Sequence, residues 1–193
     1  HPAAGGAEAY THRLLEEMGL RGHAVTWFAS AVPGQPDEQE TSSYQIVREG
    51  SRFSVYSHGR SWAMRHQNMF DVFVDQVNTV PFQLSRIGMS TPVVGLFFQT
   101  AQDVWNSNIS LPFALAGQYL LEPRWLRGFR NVPVAALSDS TKQALKRFGI
   151  DDVTVIGSAL PTDCSCSFHT QRSRTHNLLS LSRIVGYKQV DHA

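Results

Sequence analysis

Apolar side chains recur at Ala7, Tyr10, Leu14, Leu15 and Met18, a three-and-four spacing that lays one stripe along a helix over residues 7–21. Gly19 and Gly22 supply stop signals near its end. Residues 24–29 are rich in β-branched and aromatic side chains and read as a short buried strand. A polar loop with Pro33, Gly34 and Pro36 follows, and residues 44–48 and 53–56 are expected to form two further short strands. Residues 71–74 and 92–97 are nearly continuous apolar runs, the pattern of strands covered on both faces. A helical stretch over 115–129 leads to a strand at 132–137, a capped helix at 140–148 closed by Gly149, and a strand at 153–156. Strands alternating with helices predict an α/β fold with a parallel sheet.

From Gly157 to His176 apolar residues thin out, and Ser, Thr, Arg, Cys and His dominate, the texture of a linker. Leu178-Leu179-Ser180-Leu181 then restarts a strand pattern. The expected organisation is an α/β domain over 1–156, a hinge over 157–177, and the first strand and loop of a truncated second domain over 178–193. No internal repeat or low-complexity tract interrupts it.

The chain has 193 residues, 42% hydrophobic and 17% charged, which excludes disorder, collagen and coiled coil as the dominant state. A net charge of +1 leaves no field to draw the chain to nucleic acid. Cys164 and Cys166 are too few for a disulfide scaffold or a zinc knuckle and read as incidental thiols, consistent with a reducing compartment. No apolar run reaches the roughly 18 residues a bilayer span needs. The opening residues from His1 to Gly6 carry no signal-peptide pattern, and without an initiator Met the chain is expected to be an inner or processed piece of a longer product. A cytoplasmic place, reaching at most the membrane periphery, is the expectation.

Several residues could carry chemistry. Gly5 and Gly6 stand ahead of the first helix, where a glycine turn and free helix N–H groups can cradle a diphosphate; a plain flexible turn is the simpler alternative. Glu8 falls in the first helical turn, where a carboxylate complements the dipole or could meet a substrate hydroxyl. In open α/β sheets ligands bind at the carboxyl ends of the strands. Asp75 and Asn78, Gln99 and Thr100, and Ser138 and Ser140 follow three of the predicted strands and would line that edge, Ser138 or Ser140 doubling as a helix N-cap. Arg183 and Lys188 follow the last strand and could clamp a diphosphate, or be solvated surface charges. The histidines are scattered without metal-ligand spacing, so no metal or other cofactor is expected. No G-x-S-x-G, P-loop or G-x-G-x-x-G motif is present.

Taken together, four segments resemble a known family. Gly5-Gly6-Ala7-Glu8-Ala9-Tyr10 with Arg21-Gly22-His23-Ala24-Val25-Thr26 resembles the "GGAE…Y…L…RGHEVT" opening of retaining glycosyltransferases of family 4, which have the GT-B fold. Asp71-Val72-Phe73-Val74-Asp75-Gln76-Val77-Asn78-Thr79 is similar to that group's "DVVIDEVNT" strand, and Asn131-Val132-Pro133-Val134 with Ser138-Asp139-Ser140-Thr141-Lys142 to its "VPV…SESTK" segment. The stretch from Leu179 to Asp191 looks like "LLSVGRLVPYKRVD", which opens the second Rossmann-like domain. The resemblance implies a Rossmann-like parallel sheet, the N-terminal half of such an enzyme, lacking its first strand. It implies transfer of a sugar from a nucleotide-diphosphate donor to a saccharide, lipid or small-molecule acceptor, with retained configuration and generally no metal. Gly5 and Gly6 would approach the donor phosphates, and Arg183 and Lys188 would neutralise the leaving diphosphate. The family's usual His before Gln99 is replaced by Phe98, and the hinge departs from "VIPNGVD". Acting alone, the chain is expected to be poorly active, and the open sheet to favour self-association. A non-catalytic Rossmann-like binding module is the alternative.

Overall fold

The structure is a computed structural model and describes residues 5–102, 105 and 111–157. Helix α1 (Gly6–Leu20) forms where the apolar stripe places it, entered from an extended Gly5 whose carbonyl accepts from the Ala9 N–H at 3.1 Å. It ends before Gly22, whose φ of 89° is open to glycine at little cost.

Strands β1 (Thr26–Ala29), β2 (Glu38–Glu40) and β3 (Gln45–Arg48) form one sheet in the order β1-β3-β2, with β1 parallel and β2 antiparallel to β3. The polar sequence of β2 carries no strand signal. The Arg48 guanidinium holds it in place by donating to the Pro36 carbonyl and to the Gln39 side chain, each at 2.9 Å. The strand expected at residues 53–56 is corrected: this segment turns into helix α2 (Val55–His66). Ser51 and Ser54 exchange backbone-to-hydroxyl hydrogen bonds there, and Ser51 O accepts from Val55 N, so helix-start chemistry overrides the β preference of the aromatic residues.

The second sheet is wholly parallel, in the order β4 (Phe73–Val77), β5 (Val93–Phe97), β6 (Val134–Ala136) and β7 (Val153–Val155). Between β5 and β6 runs a continuous helical stretch. It comprises α3 (Leu111–Ala116), a π turn (Gly117–Leu121), α4 (Glu122–Leu126) and a 3₁₀ turn (Arg127–Phe129). Helix α5 (Asp139–Lys146) connects β6 to β7. This mixed α/β architecture has the parallel sheet that the pattern predicts, and it is Rossmann-like, as the resemblance implies. One detail is corrected: β4 is not covered on both faces. Its Val74 is 50% exposed, because among the described residues β4 is an edge strand.

The main core lies under β4–β7, where Phe97, Leu126, Phe129, Leu145, Ile150 and Val153 are buried together. Phe97 and Phe129 meet edge to face, with ring centroids 5.0 Å apart. Gly95 makes that contact possible, since a Cβ there would come within 2.8 Å of the Phe129 ring. A smaller cluster of Ala63, Leu84 and Val93 sits under α2.

Strands β1 and β4 each keep an edge without a strand partner among the described residues. Helices join them instead. Phe28 of β1 packs on Trp62 of α2, Trp62 on Phe70, and Phe70 on Phe73 of β4. The neighbouring Trp27 points to the opposite face and packs near Tyr44, whose hydroxyl meets His12 of α1 at 2.6 Å. Thr11 of α1 donates to Gln76 of β4 at 3.0 Å.

Truncating Phe129 to Ala should cost about 3–5 kcal/mol, because the ring is fully buried and the cavity cannot collapse onto a rigid sheet. Urea denaturation should show the lowered midpoint, and Gly95→Val should lower it too by driving the same ring away.

Candidate functional site

Because β4, β5 and β6 run parallel, their carboxyl ends fall at one edge, and the residues that follow them share it. Asn78 and Gln99 lie exposed there. Phe98 knits the edge together. Its N–H donates to the Val77 carbonyl at 2.9 Å, its carbonyl accepts from the Thr141 hydroxyl at 3.2 Å, and its ring stands edge-on to Tyr10, 5.5 Å away. One residue thus touches the end of β4, the start of α5 and the second turn of α1. Burial pushes the Tyr10 hydroxyl above its ordinary pKa, so it remains a neutral phenol in the physiological range.

Tyr10 lies one turn after Gly6, so the glycine turn is brought to the same edge. Gly6 faces open space, with nothing near the position of a Cβ. The Glu8 carboxylate folds back to accept the Gly5 N–H at 2.8 Å, half of a capping box. At the start of α5, Ser138 is the N-cap: its hydroxyl oxygen accepts from Thr141 N at 3.2 Å. The hydroxyls of Ser140 and Thr141 each lie 2.9 Å from it.

Asp75 does not follow its strand. It lies inside β4 and is fully buried, beneath the edge it was expected to line. Its two oxygens accept from the backbone N–H groups of Phe82 and Leu84, each at 3.0 Å, with Gln83 between them in the left-handed region at φ 60°. Burial raises its pKa, while these backbone hydrogen bonds and the Arg60 charge pull the other way. Asp75 therefore shapes the 78–84 loop from below.

Glu122 escapes sequence reasoning altogether. It is buried, and its carboxylate accepts from Ala101 N at 2.7 Å and from the Trp105 indole N–H at 3.1 Å. The buried positions Ala114, Gly117, Glu122 and Leu126 are separated by three, five and four residues. The five-residue step is the π turn, which brings Glu122 round to the side where an unbroken α-helix would place residue 121. Gly117 lets the Trp105 ring lie against the helix backbone, since any Cβ would overlap the ring. One signal was available: between Asp103 and Asp139 the sequence holds a single acid, set in an apolar run.

Arg183, Lys188, Cys164 and Cys166 lie outside the described residues. Among the described residues, no group of three His, Cys, Asp or Glu side chains could hold a metal ion. A shallow recess of about 200 Å³, lined by Pro133, Ala135, Asp152 and Thr154 among others, lies toward the amino ends of β6 and β7, away from the polar edge.

A mixed α/β fold built on a four-stranded parallel sheet places the chain in the Rossmann-like class. The family model of Glycosyltransferase Family 4 matches residues 4–163, and the chain belongs to that family. No curated protein and no solved structure matches it.

Two consequences are measurable. The raised Asp75 pKa means the folded state holds this proton more tightly than the unfolded chain does. The stability it contributes is present below the ordinary value of 3.8 and lost as pH rises through the folded-state value. The unfolding free energy of the native chain relative to Asp75→Asn should therefore fall with rising pH across that window, read by urea denaturation at a series of pH values. Glu122→Ala should cost about 2–5 kcal/mol, since the buried Ala101 N–H and the part-buried Trp105 indole N–H lose their acceptor. Glu122→Gln should cost less, and tryptophan fluorescence should report the freed Trp105.

Proposed function

We propose that this chain is the acceptor-side portion of a retaining glycosyltransferase with the GT-B fold, moving a sugar from a nucleotide-diphosphate donor to an acceptor. The observation that carries the reading is the family match over residues 4–163. It is supported by the meeting of Tyr10 of α1, the end of β4 and the start of α5 around Phe98. On this reading residues 1–156 form the acceptor-side domain, 157–177 the hinge, and 178–193 the opening of the donor-binding domain. The work is placed in the cytoplasm or at the membrane periphery, and no cofactor is called for.

The roles follow from charge. Departure of a nucleoside diphosphate builds negative charge, and donors aimed at it in advance lower the barrier. Gly5 and Gly6 let the backbone approach the phosphates, and Arg183 and Lys188 supply the cations. Asn78, Gln99, Ser138 and Ser140 offer hydrogen bonds to acceptor hydroxyls, with Asp75 positioning the loop that bears Asn78. Phe98 has no polar group for a donor sugar and instead fixes the edge on which Gln99 stands. Glu8 occupies the Gly5 N–H, so a diphosphate there must displace it, and the freed carboxylate can then meet an acceptor hydroxyl.

Calorimetric titration of UDP and GDP into the full chain tests this directly. Binding should be lost in Gly6→Val, whose side chain enters open space and leaves α1 intact. Binding should tighten about two- to fivefold in Glu8→Gln, which removes a competing charge from the helix start. Transfer from a nucleotide sugar is expected only when a donor-binding domain is supplied. Turnover by this chain alone would overturn the divided-domain reading, and binding of neither diphosphate nor any acceptor would sink the proposal. Diphosphate binding unaffected by Gly6→Val would favour a binding module with a different site.

A further inference from the structure

The helical stretch between β5 and β6 buries one narrow side, through Ala114, Gly117, Glu122 and Leu126, and leaves the other bare. On the bare side Leu111 is 69% exposed, Phe113 71%, Tyr119 66% and Leu120 69%. Single exposed apolar residues are ordinary, but a contiguous set marks a contact surface. Arg124 follows four positions after Leu120, and Arg127 three after Arg124, so both guanidinium groups continue that side, and both are exposed. Arg86 adds a third cation beside them, donating to the Arg124 carbonyl at 2.9 Å. The one acid between residues 111 and 138, Glu122, is turned inward by the π turn. Among the described residues of this helical stretch, large apolar groups and cations therefore share one face with no exposed carboxylate among them.

We propose that this face docks on an anionic lipid bilayer, with Phe113, Tyr119 and Leu120 entering the boundary between headgroups and acyl chains. Arg124, Arg127 and Arg86 meet the lipid phosphates. The charge pattern selects this occupant. A bilayer presents phosphate and hydrocarbon at adjacent depths, which matches cations set beside large apolar groups. Tyrosine suits that boundary, having an apolar ring and a polar tip. Among the described residues no helix is long and apolar enough to cross a membrane, so the contact is peripheral. The inference gives a surface to the membrane-peripheral placement proposed above and does not depend on sugar transfer.

Sedimentation of the full chain with vesicles tests it without any sugar. Phosphatidylcholine vesicles containing phosphatidylglycerol should carry the chain down, pure phosphatidylcholine vesicles far less, and added salt should weaken the binding. The double variant Phe113→Asp/Leu120→Asp should lose binding while keeping the native circular dichroism, because both side chains are exposed. Arg124→Ala should weaken binding to the anionic vesicles about fivefold and leave any residual binding to neutral ones unchanged. Absence of vesicle binding by the native chain would overturn the proposal, as would equal binding by the double variant. A dimer in sedimentation velocity, split by Leu120→Asp and indifferent to vesicles, would assign the face to a second copy.

Discussion

A buried carboxylate tolerates little freedom around it, and Glu122 dictates the helical layer beside β5. Removed from water, its carboxyl oxygens require donors, and the Ala101 N–H and the Trp105 indole supply two of them. A regular helix would carry residue 122 away from them. The π turn absorbs one residue and turns it back. The chain segment leaving β5 is thereby pinned, Trp105 is laid over Gly117, and the opposite side of the same helix is left with its apolar groups uncovered.

Asp75 has a matching role in β4. Each of the two buried carboxyl groups fixes backbone beyond a strand end: Asp75 accepts from Phe82 and Leu84 N–H in the loop after its own strand, and Glu122 from Ala101 N–H after β5. The exposed groups at the edge, Asn78 and Gln99, therefore stand on backbone that is already fixed. Ordering of this edge is thus achieved during folding. Burial raises the Asp75 pKa, and that is the energetic cost of the arrangement.

Much of the fold was legible where sequence period and local chemistry agree. The stripe of α1, the apolar run of β5, and α5 with Ser138 before it and Gly149 behind it were each readable. Misreadings arose where side chains from elsewhere decide. β2 depends on Arg48, and residues 53–56 obey the Ser51 and Ser54 hydroxyls. β4 continues past its apolar run because residues 82 and 84 satisfy Asp75. The π turn has no period to announce it. Position after a strand is enough to put Asn78, Gln99 and Ser138 at one edge of the sheet, and the spaced motifs indicated the family that the match over 4–163 establishes. Position alone could not separate Asp75, beneath the edge, from its neighbours upon it. Nor could it reveal that Phe98 joins three elements.

The separation of the two β-ladders bears on how the molecule comes apart. Among the described residues no strand pairing runs from β1 to β4, so the β1-β3-β2 unit is held to the parallel sheet by aromatic rings and a few side-chain hydrogen bonds. Such contacts yield independently of a backbone ladder. The small sheet can therefore open without breaking the parallel ladder, and its amides should exchange with solvent at a lower opening free energy than those of β5 and β6.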